Sequence, residues 1–352
     1  MNKQIFEDEI RTKKCSFCSI CGSEGNSLYY GLKDVIFEAP GMWGFRICTN
    51  DLCRLIWLDP MPLEDEIGKA YSTYYTHIGY RKTVEKNNVS QLRKLYNTMK
   101  VGYLSYRYGY EPADSPCVRA LGRLISLVPS RRVALDFSVF FLSANPGGRL
   151  LEVGCGSGET LRLLLKLGWQ AEGVDFDPHA VHNARDKGLS VSLGSLEQQY
   201  YSDNHFDAVV MSHLIEHVYD PLRLLQESRR ILKPGGHIVI ITPNSDSFGH
   251  KWFQQYWRGL EPPRHLHIFS CMSLGILAKK AGFKHLKLSS TIRNADNIFI
   301  LSEMYRTSND VIEGRPETIR RRAWAKSMQY IEWLLLLFRC DVGEEIALIA
   351  KK

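Results

Sequence analysis

The sequence predicts an α/β protein built on a doubly wound, mostly parallel sheet. Three observations carry that reading. From residue 148 onward, short apolar runs alternate with amphipathic runs of helical length, the pattern of repeated βαβ units. The central runs, AVVM at 208–211 and IVII at 238–241, are apolar throughout, as strands are when helices cover both sheet faces. A glycine-rich turn joins the first apolar run directly to a helix, which is how such sheets meet a polar ligand.

Each element follows from its residues. GRLLEVG at 148–154 is a strand and ETLRLLLKLG at 159–168 a helix. Strand QAEGVDF at 170–176 precedes helix PHAVHNARDKG at 178–188. Strands SVSL at 190–193 and HFDAVVMS at 205–212 lead to helix DPLRLLQESRRIL at 220–232. Strand HIVIITP at 237–243, helix CMSLGILAKKAG at 271–282 and strand HLKLSSTI at 285–292 come next. EEIALIAKK at 344–352 closes the sheet. Units of this length imply right-handed crossovers.

Three zones are expected. Residues 1–60 hold paired cysteines. Residues 61–147 form a helical connector with breaks at Glu111-Pro112, Val128-Pro129 and Asn145-Pro146-Gly147-Gly148. The last break marks the start of the sheet domain, 148–352. No internal repeat is visible.

The 352 residues are 44% apolar, enough for a core, and carry a net charge of +7. A nucleic-acid footprint needs clustering of that charge. The densest basic run, Arg320–Arg322 with Lys326, follows acidic Glu313 and Glu317 and reads as a helix face. The start, MNKQIFEDEI, is charged where a secretory signal would be apolar. No apolar run reaches the ~20 residues of a membrane span. YIEWLLLLF at 330–338 contains Glu332 and reads as a buried helix; a membrane-surface contact beside the nearby arginines is the alternative. A cytoplasmic protein is expected.

Five of the nine cysteines lie in the first 53 residues. In an unsecreted chain, close pairs favour metal over disulfides. Cys18 and Cys21, with Cys48 and Cys53, form two pairs able to close a tetrahedral zinc site. Glycine after Cys21 favours this set, and Cys15 is an alternative member.

The strongest signal is LLEVGCGSGET at 150–160. Its glycines permit a tight turn and close approach of backbone to ligand. The helix that follows presents free N–H groups. Asp175 ends the next strand, where a ribose-binding acid belongs. Asp177 is better placed to cap the helix opening at Pro178.

In these motifs the sequence resembles the class I S-adenosylmethionine-dependent methyltransferase family, in its ubiquinone-type and polysaccharide-pathway branch. HFDAVVMSHLIEHVYDP at 205–221, KPGG at 233–236 and AGF at 281–283 extend the resemblance in the right order. It implies a Rossmann-like sheet of seven strands, the last antiparallel, and S-adenosylmethionine as cofactor. Gly154, Gly156 and Gly158 would line its methionine and ribose portions, and Glu152 would order the loop. Asp175 would hold the ribose and Phe176 pack on the adenine. Ser195 and Leu196 stand where the adenine amino group is read. Many relatives carry aspartate at the Ser195 position, so that contact departs from the pattern. The cysteine segment resembles the zinc ribbons that precede some sugar and small-molecule methyltransferases.

Methyl transfer to a hydroxyl needs alignment and removal of a proton, work suited to histidine. The candidates are His213, His265 and His267. His217 has a local structural reading, although His213, Glu216 and His217 together also form a potential divalent-ion set. The aromatic segment Phe248–His267 is expected to close over the donor, with Arg264 orienting the acceptor. The expected acceptor is a small molecule or glycan, methylated on oxygen. The alternative is RNA, read by Tyr29, Tyr30, Trp43 and Phe45 of the ribbon; Lys33 and Arg46 are its only nearby cations.

Overall fold

A computed structural model of the chain describes residues 9–71, 91–110, 115–307 and 318–352. The expected break at Glu111-Pro112 and the acids Glu313 and Glu317 lie outside the described residues.

The N-terminal segment is all β: β1 (Thr12–Lys13), β2 (Gly25–Leu32), β3 (Trp43–Cys48), β4 (Ile56–Leu58) and β5 (Met61–Pro62). The connector supplies α1 (Gln91–Tyr108), α2 (Pro116–Arg123) and α3 (Pro129–Ser138). Prolines open α2 and α3 at the position where a missing N–H costs nothing. The sheet domain then runs β6 (Arg149–Val153), α4 (Glu159–Lys166), β7 (Gln170–Asp175), α5 (Pro178–Asp186), β8 (Val191–Leu193), β9 (Phe206–Ser212), α6 (Pro221–Ile231) and β10 (Leu232–Pro243). It continues through α7 (Phe248–Phe253), β11 (His267–Ile268), α8 (Cys271–Lys280), β12 (Lys284–Thr291), α9 (Ala295–Thr307), α10 (Ile319–Leu336) and β13 (Glu345–Lys351).

Seven strands form the main sheet in the order β12-β13-β10-β9-β6-β7-β8. β6 to β10 pair in parallel, and β13 runs antiparallel to both β10 and β12. The order reverses beside β6, so the crevice at the carboxyl ends of β6, β7 and β9 is the place for a ligand. The sheet's strength comes from fully buried apolar side chains such as Leu151, Val209, Ile240 and Leu348.

The ribbon is not a separate body. Its sheet has the order β11-β4-β3-β2, so the sheet domain supplies the fourth strand. His267 and Ile268 pair with Trp57 and Ile56. Cys18, Ile20 and Trp57 share one apolar cluster with Phe269 and Leu274. The boundary expected at residue 60 is therefore crossed by a sheet and a core.

α10 departs from expectation. Ala325, Met328, Gln329 and Glu332 face inward, while Leu334, Leu337 and Phe338 are exposed. The leucine run lies on the outer side because the inward stripe, at helical spacing, is the one that contains Glu332. Among the described residues no helix is long and apolar enough to cross a membrane.

Candidate active site

At the end of β6 the chain turns through Gly154, Gly156 and Gly158, all at positive φ. A Cβ at Gly154 would meet Leu214 at 2.9 Å and one at Gly158 would meet Leu189 at 2.3 Å. At Gly156 it would meet nothing within 4 Å, because that residue borders a cavity of about 600 Å³. The same cavity is lined by Tyr71, Asp175, Phe176, His213, Leu214 and His217.

Asp175 ends β7 in this wall. Its Oδ2 accepts the Gly156 N–H at 2.7 Å and its Oδ1 accepts the Asp177 N–H at 2.9 Å. Each oxygen keeps lone-pair capacity for a ligand. Burial raises the Asp175 carboxyl above its usual range. Helix capping falls to Asp177, which accepts the His179 N–H. Phe176 is half exposed at the rim and meets the edge of Tyr71.

Glu152 is buried on β6, and its Oε2 has no hydrogen-bond partner. Burial, and then Asp175, push its carboxyl up to about 8. It is not among the residues that line the cavity. After β8, Ser195 is exposed, with its N–H bound to Gln198, and Leu196 is buried in the core. Neither borders the cavity.

A second cavity of about 290 Å³ shares His213 and His217 with the first. Its other walls include Trp257, Arg258, Glu261, His265, Asn294, Asn297, Glu344 and Glu345. The two histidines thus stand where the cavities meet.

Their surroundings give them opposite characters. His213, at a φ of 52°, places Nε2 3.0 Å from Glu345 and Nδ1 3.3 Å from Glu216. Burial opposes its charge, but the two carboxylates prevail and raise it to about 10. The two carboxylates thus favour the charged form of its ring. His217 has Nδ1 3.0 Å from the Arg264 carbonyl and 3.0 Å from the Tyr71 hydroxyl. A carbonyl only accepts, so Nδ1 carries the proton and Nε2 is the basic nitrogen.

His265 donates Nδ1–H to the Gly259 carbonyl at 2.7 Å, and burial lowers it to about 4. Its ring meets that of His217 edge to face at 4.8 Å. His267 lies on β11 with Nε2 near Ser19, and it lines neither cavity.

The aromatic segment is not an open lid. Phe253 and Trp257 are buried, and Trp257 donates its indole N–H to Glu344 at 2.7 Å. Arg264 does not reach an acceptor either. It is fully buried and bonds Asp34, Glu261 and the Ala70 carbonyl. Asp34 in turn accepts the N–H groups of Ile36, Phe37 and Ala39. The ribbon therefore fixes Arg264, whose carbonyl sets the His217 tautomer. Tyr71, Asp34 and the His217 tautomer were not legible in the sequence, because no local motif marks them.

Residues 129–288 match the family model of a methyltransferase domain. The glycine turn, Asp175 and the four histidines His213, His217, His265 and His267 all lie inside that span. The chain is 28% identical over 148 residues to an uncharacterised protein of Methanocaldococcus jannaschii, spanning 42% of this chain and 70% of that protein. It is 36% identical over 119 residues to the ubiquinone biosynthesis O-methyltransferase of Xanthomonas campestris, spanning 32% of this chain and 49% of that enzyme. A solved SAM-dependent methyltransferase from Archaeoglobus fulgidus superposes with a TM-score of 0.42 at 22% identity, over 65% of this chain and 94% of that one.

Beside the methyltransferase domain, the ribbon gathers Cys18, Cys21, Cys48 and Cys53 with all four sulfurs within 4.8 Å of one another. Cys21 and Cys48 sulfurs are 3.3 Å apart, and Cys18 and Cys53 sulfurs 3.7 Å. Tetrahedral zinc–thiolate geometry requires about 3.8 Å, so the donor set fits. Cys15 stands apart from the four: its N–H bonds Asp59 and its sulfur faces the Lys13 carbonyl. A second group brings Glu216, His217 and His265 within 4.8 Å. His213 is not part of that group.

Proposed function

We propose that this protein transfers a methyl group from S-adenosylmethionine to a hydroxyl oxygen of a small molecule or glycan. The observation that carries this reading is the meeting of two cavities at a histidine whose tautomer leaves Nε2 basic. Glu152, the loop from Gly154 to Gly158, Asp175 and Phe176 would hold the donor, with Asp175 on the ribose. Bound there, the donor supplies a methyl carbon activated by its sulfonium. The acceptor occupies the second cavity, among Asn294, Asn297 and Trp257. His217 takes the acceptor's proton at Nε2, and the Arg264 carbonyl steadies the charge formed on its ring. His213 serves as a fixed cation rather than a base. His265 is held neutral and packs against His217; His267 plays no part in the chemistry. Ser195 and Leu196, outside the cavity, are given no part in holding the donor.

Cys18, Cys21, Cys48 and Cys53 would hold one structural zinc ion. Clustered free thiols suit the reducing cytoplasm. The RNA alternative is weakened by the ribbon itself. Trp43 and Phe45 are buried, Tyr29 is bonded to His250, and Arg46 is paired with Asp59. Tyr30 alone of the four aromatics is left as an open stacking surface. A second reading, a divalent ion on Glu216, His217 and His265, is favoured by their mutual approach. Incubation with methyl-labelled donor and a panel of glycans, phenols and RNA tests the proposal. Label in RNA alone would reverse it. Turnover lost to a chelator and restored by a divalent ion, with zinc still in the ribbon, would favour the metal reading.

A further inference from the structure

A third cavity, of about 490 Å³, opens between the ribbon and the chain that follows α7. It takes no part in the proposed methyl transfer. Three distant stretches build it: Tyr30 and Lys33 at the end of β2, Gln255 and Tyr256 between α7 and β11, and Tyr305 on α9. Trp257 and Glu261 border both this cavity and the proposed acceptor cavity. The two cavities therefore have the stretch 257–261 as a common wall.

The polar groups of the third cavity divide by whether the fold already uses them. Its acids are engaged. Asp34 accepts from Arg264 and from the N–H groups of Ile36, Phe37 and Ala39. Glu261 accepts from Arg258 and Arg264. Its donors are not engaged. Among the described residues Lys33 forms no ion pair and the Gln255 amide no hydrogen bond. The Tyr305 hydroxyl is buried and has no hydrogen-bond partner, a state that costs free energy until a ligand atom or water answers it. Tyr30 and Tyr256, 86% and 40% accessible, offer ring faces at the mouth.

A fitting ligand brings acceptor oxygens, negative charge and a ring with an apolar face. A nucleic acid brings rings and charge, but its charge recurs at every nucleotide. Lys33 is the only cation among the described residues that line the cavity. A sugar ring bearing one anionic group matches that count, with its C–H face on a tyrosine and its hydroxyls open to Gln255 and Tyr305. We propose that this cavity binds an anionic sugar unit, its ring against Tyr30 and Tyr256 and its anionic group on Lys33. Given the common wall, the unit is the neighbour of the methylated one in an acidic glycan. That last step rests on the proposed methyl transfer; the binding itself does not.

The test is binding of the full chain, without donor, followed by saturation-transfer NMR. The probes are trimers of galacturonate and of mannuronate, glucose 6-phosphate and neutral maltotriose. An anionic probe should bind about tenfold or more tighter than maltotriose. Preference for the trimers assigns a carboxylate, and preference for the phosphate a phosphoryl group; either supports the proposal. Lys33→Gln should remove the preference and leave maltotriose unchanged. Y30A/Y256A should weaken every probe, and Tyr305→Phe the preferred one severalfold. Tyr30, Lys33 and Tyr256 are exposed, which favours folded variants. No binding of any anionic probe, equal binding of maltotriose, or a preference that survives Lys33→Gln overturns the proposal. Displacement by S-adenosylhomocysteine also overturns it, by placing the probe in the donor cavity. Tighter binding of oligouridylate, abolished by Y30A/Y256A, assigns the cavity to RNA. Binding of an acidic trimer without methylation of any glycan keeps this site and defeats the methyl-transfer reading. Methylation of a neutral glycan with no anionic binding does the reverse.

Discussion

The proposed donor cavity and the proposed acceptor cavity share two histidines but are built in different ways. Most of the donor wall comes from residues 154–217, at the carboxyl ends of three neighbouring strands. Local turns do most of the work there: three left-handed glycines and one aspartate bonded to the loop beside it. The acceptor wall gathers residues from 213 to 345, and its key histidine depends on an arginine anchored by Asp34 of the ribbon. One half is encoded by short motifs, the other by long-range contacts. The two halves should therefore fail separately.

The largest expected effect is on the ribbon. The purified protein should carry one equivalent of zinc, measured by metal analysis without chelators. A structural zinc–thiolate site contributes on the order of 10 kcal/mol to the order of its segment. Cys53→Ser, at a fully buried ligand, should disorder the ribbon and abolish turnover. Donor binding by calorimetry should survive, since the donor wall takes no residue from the cysteine segment among its described lining. Loss of donor affinity in the same variant would break the comparison, because β11 would then be transmitting the damage.

His217 sharpens it next. On the proposed role as proton acceptor, replacing His217 by alanine should lower kcat by about 10²-fold or more while donor affinity stays near that of the wild type. His265→Ala should cost less, through loosened packing, and His267→Ala should leave kcat close to wild type in whatever fraction folds. Equal losses for His217 and His267 would remove the geometric argument. On the donor side, Asp175→Ala should weaken S-adenosylmethionine binding by about 2 kcal/mol, or ~30-fold, as hydrogen bonds to a charged partner are the stronger kind. Unchanged affinity in a folded variant would move the ribose contact elsewhere.

What was legible follows the same division. Glu152, the glycine loop and Asp175 announce themselves because strand, turn and helix must follow one another within a few residues. The seven-strand sheet was legible for the same reason: apolar runs at regular spacing leave few topologies. Asp34 is an unremarked acid in the sequence, and its partner lies 230 residues away. Arg264 looked like an acceptor handle because arginine in a ligand loop usually is, yet the fold uses it as an internal tie. The leucines of α10 looked buried because composition suggests it, whereas helical phase turned Glu332 inward instead.

The smallest effect concerns His213, and its sign separates a fixed cation from a base. In the folded chain His213 holds its proton up to about 10, against an ordinary value of 6.5. The stability it contributes is fully present below 6.5 and is lost as pH rises through 10. His265 and His267, lowered to about 4, act in the opposite direction: their contribution is present above 6.5 and lost as pH falls toward 4. Melting temperature should therefore decline on both sides of neutrality, with His213 behind the alkaline side. Its side chain is 38% accessible, so solvent screening limits the effect to about 1 kcal/mol, or roughly 2–4 °C. His213→Gln should flatten that alkaline decline in a thermal melt followed across pH. The same histidine, if it were the base, would work only once deprotonated, and kcat would climb toward pH 10. A kcat–pH profile with no such limb leaves His217 as the base. A limb near 10 that vanishes in His213→Gln would return the role to His213 and make the two carboxylates beside it the means of delaying its proton transfer.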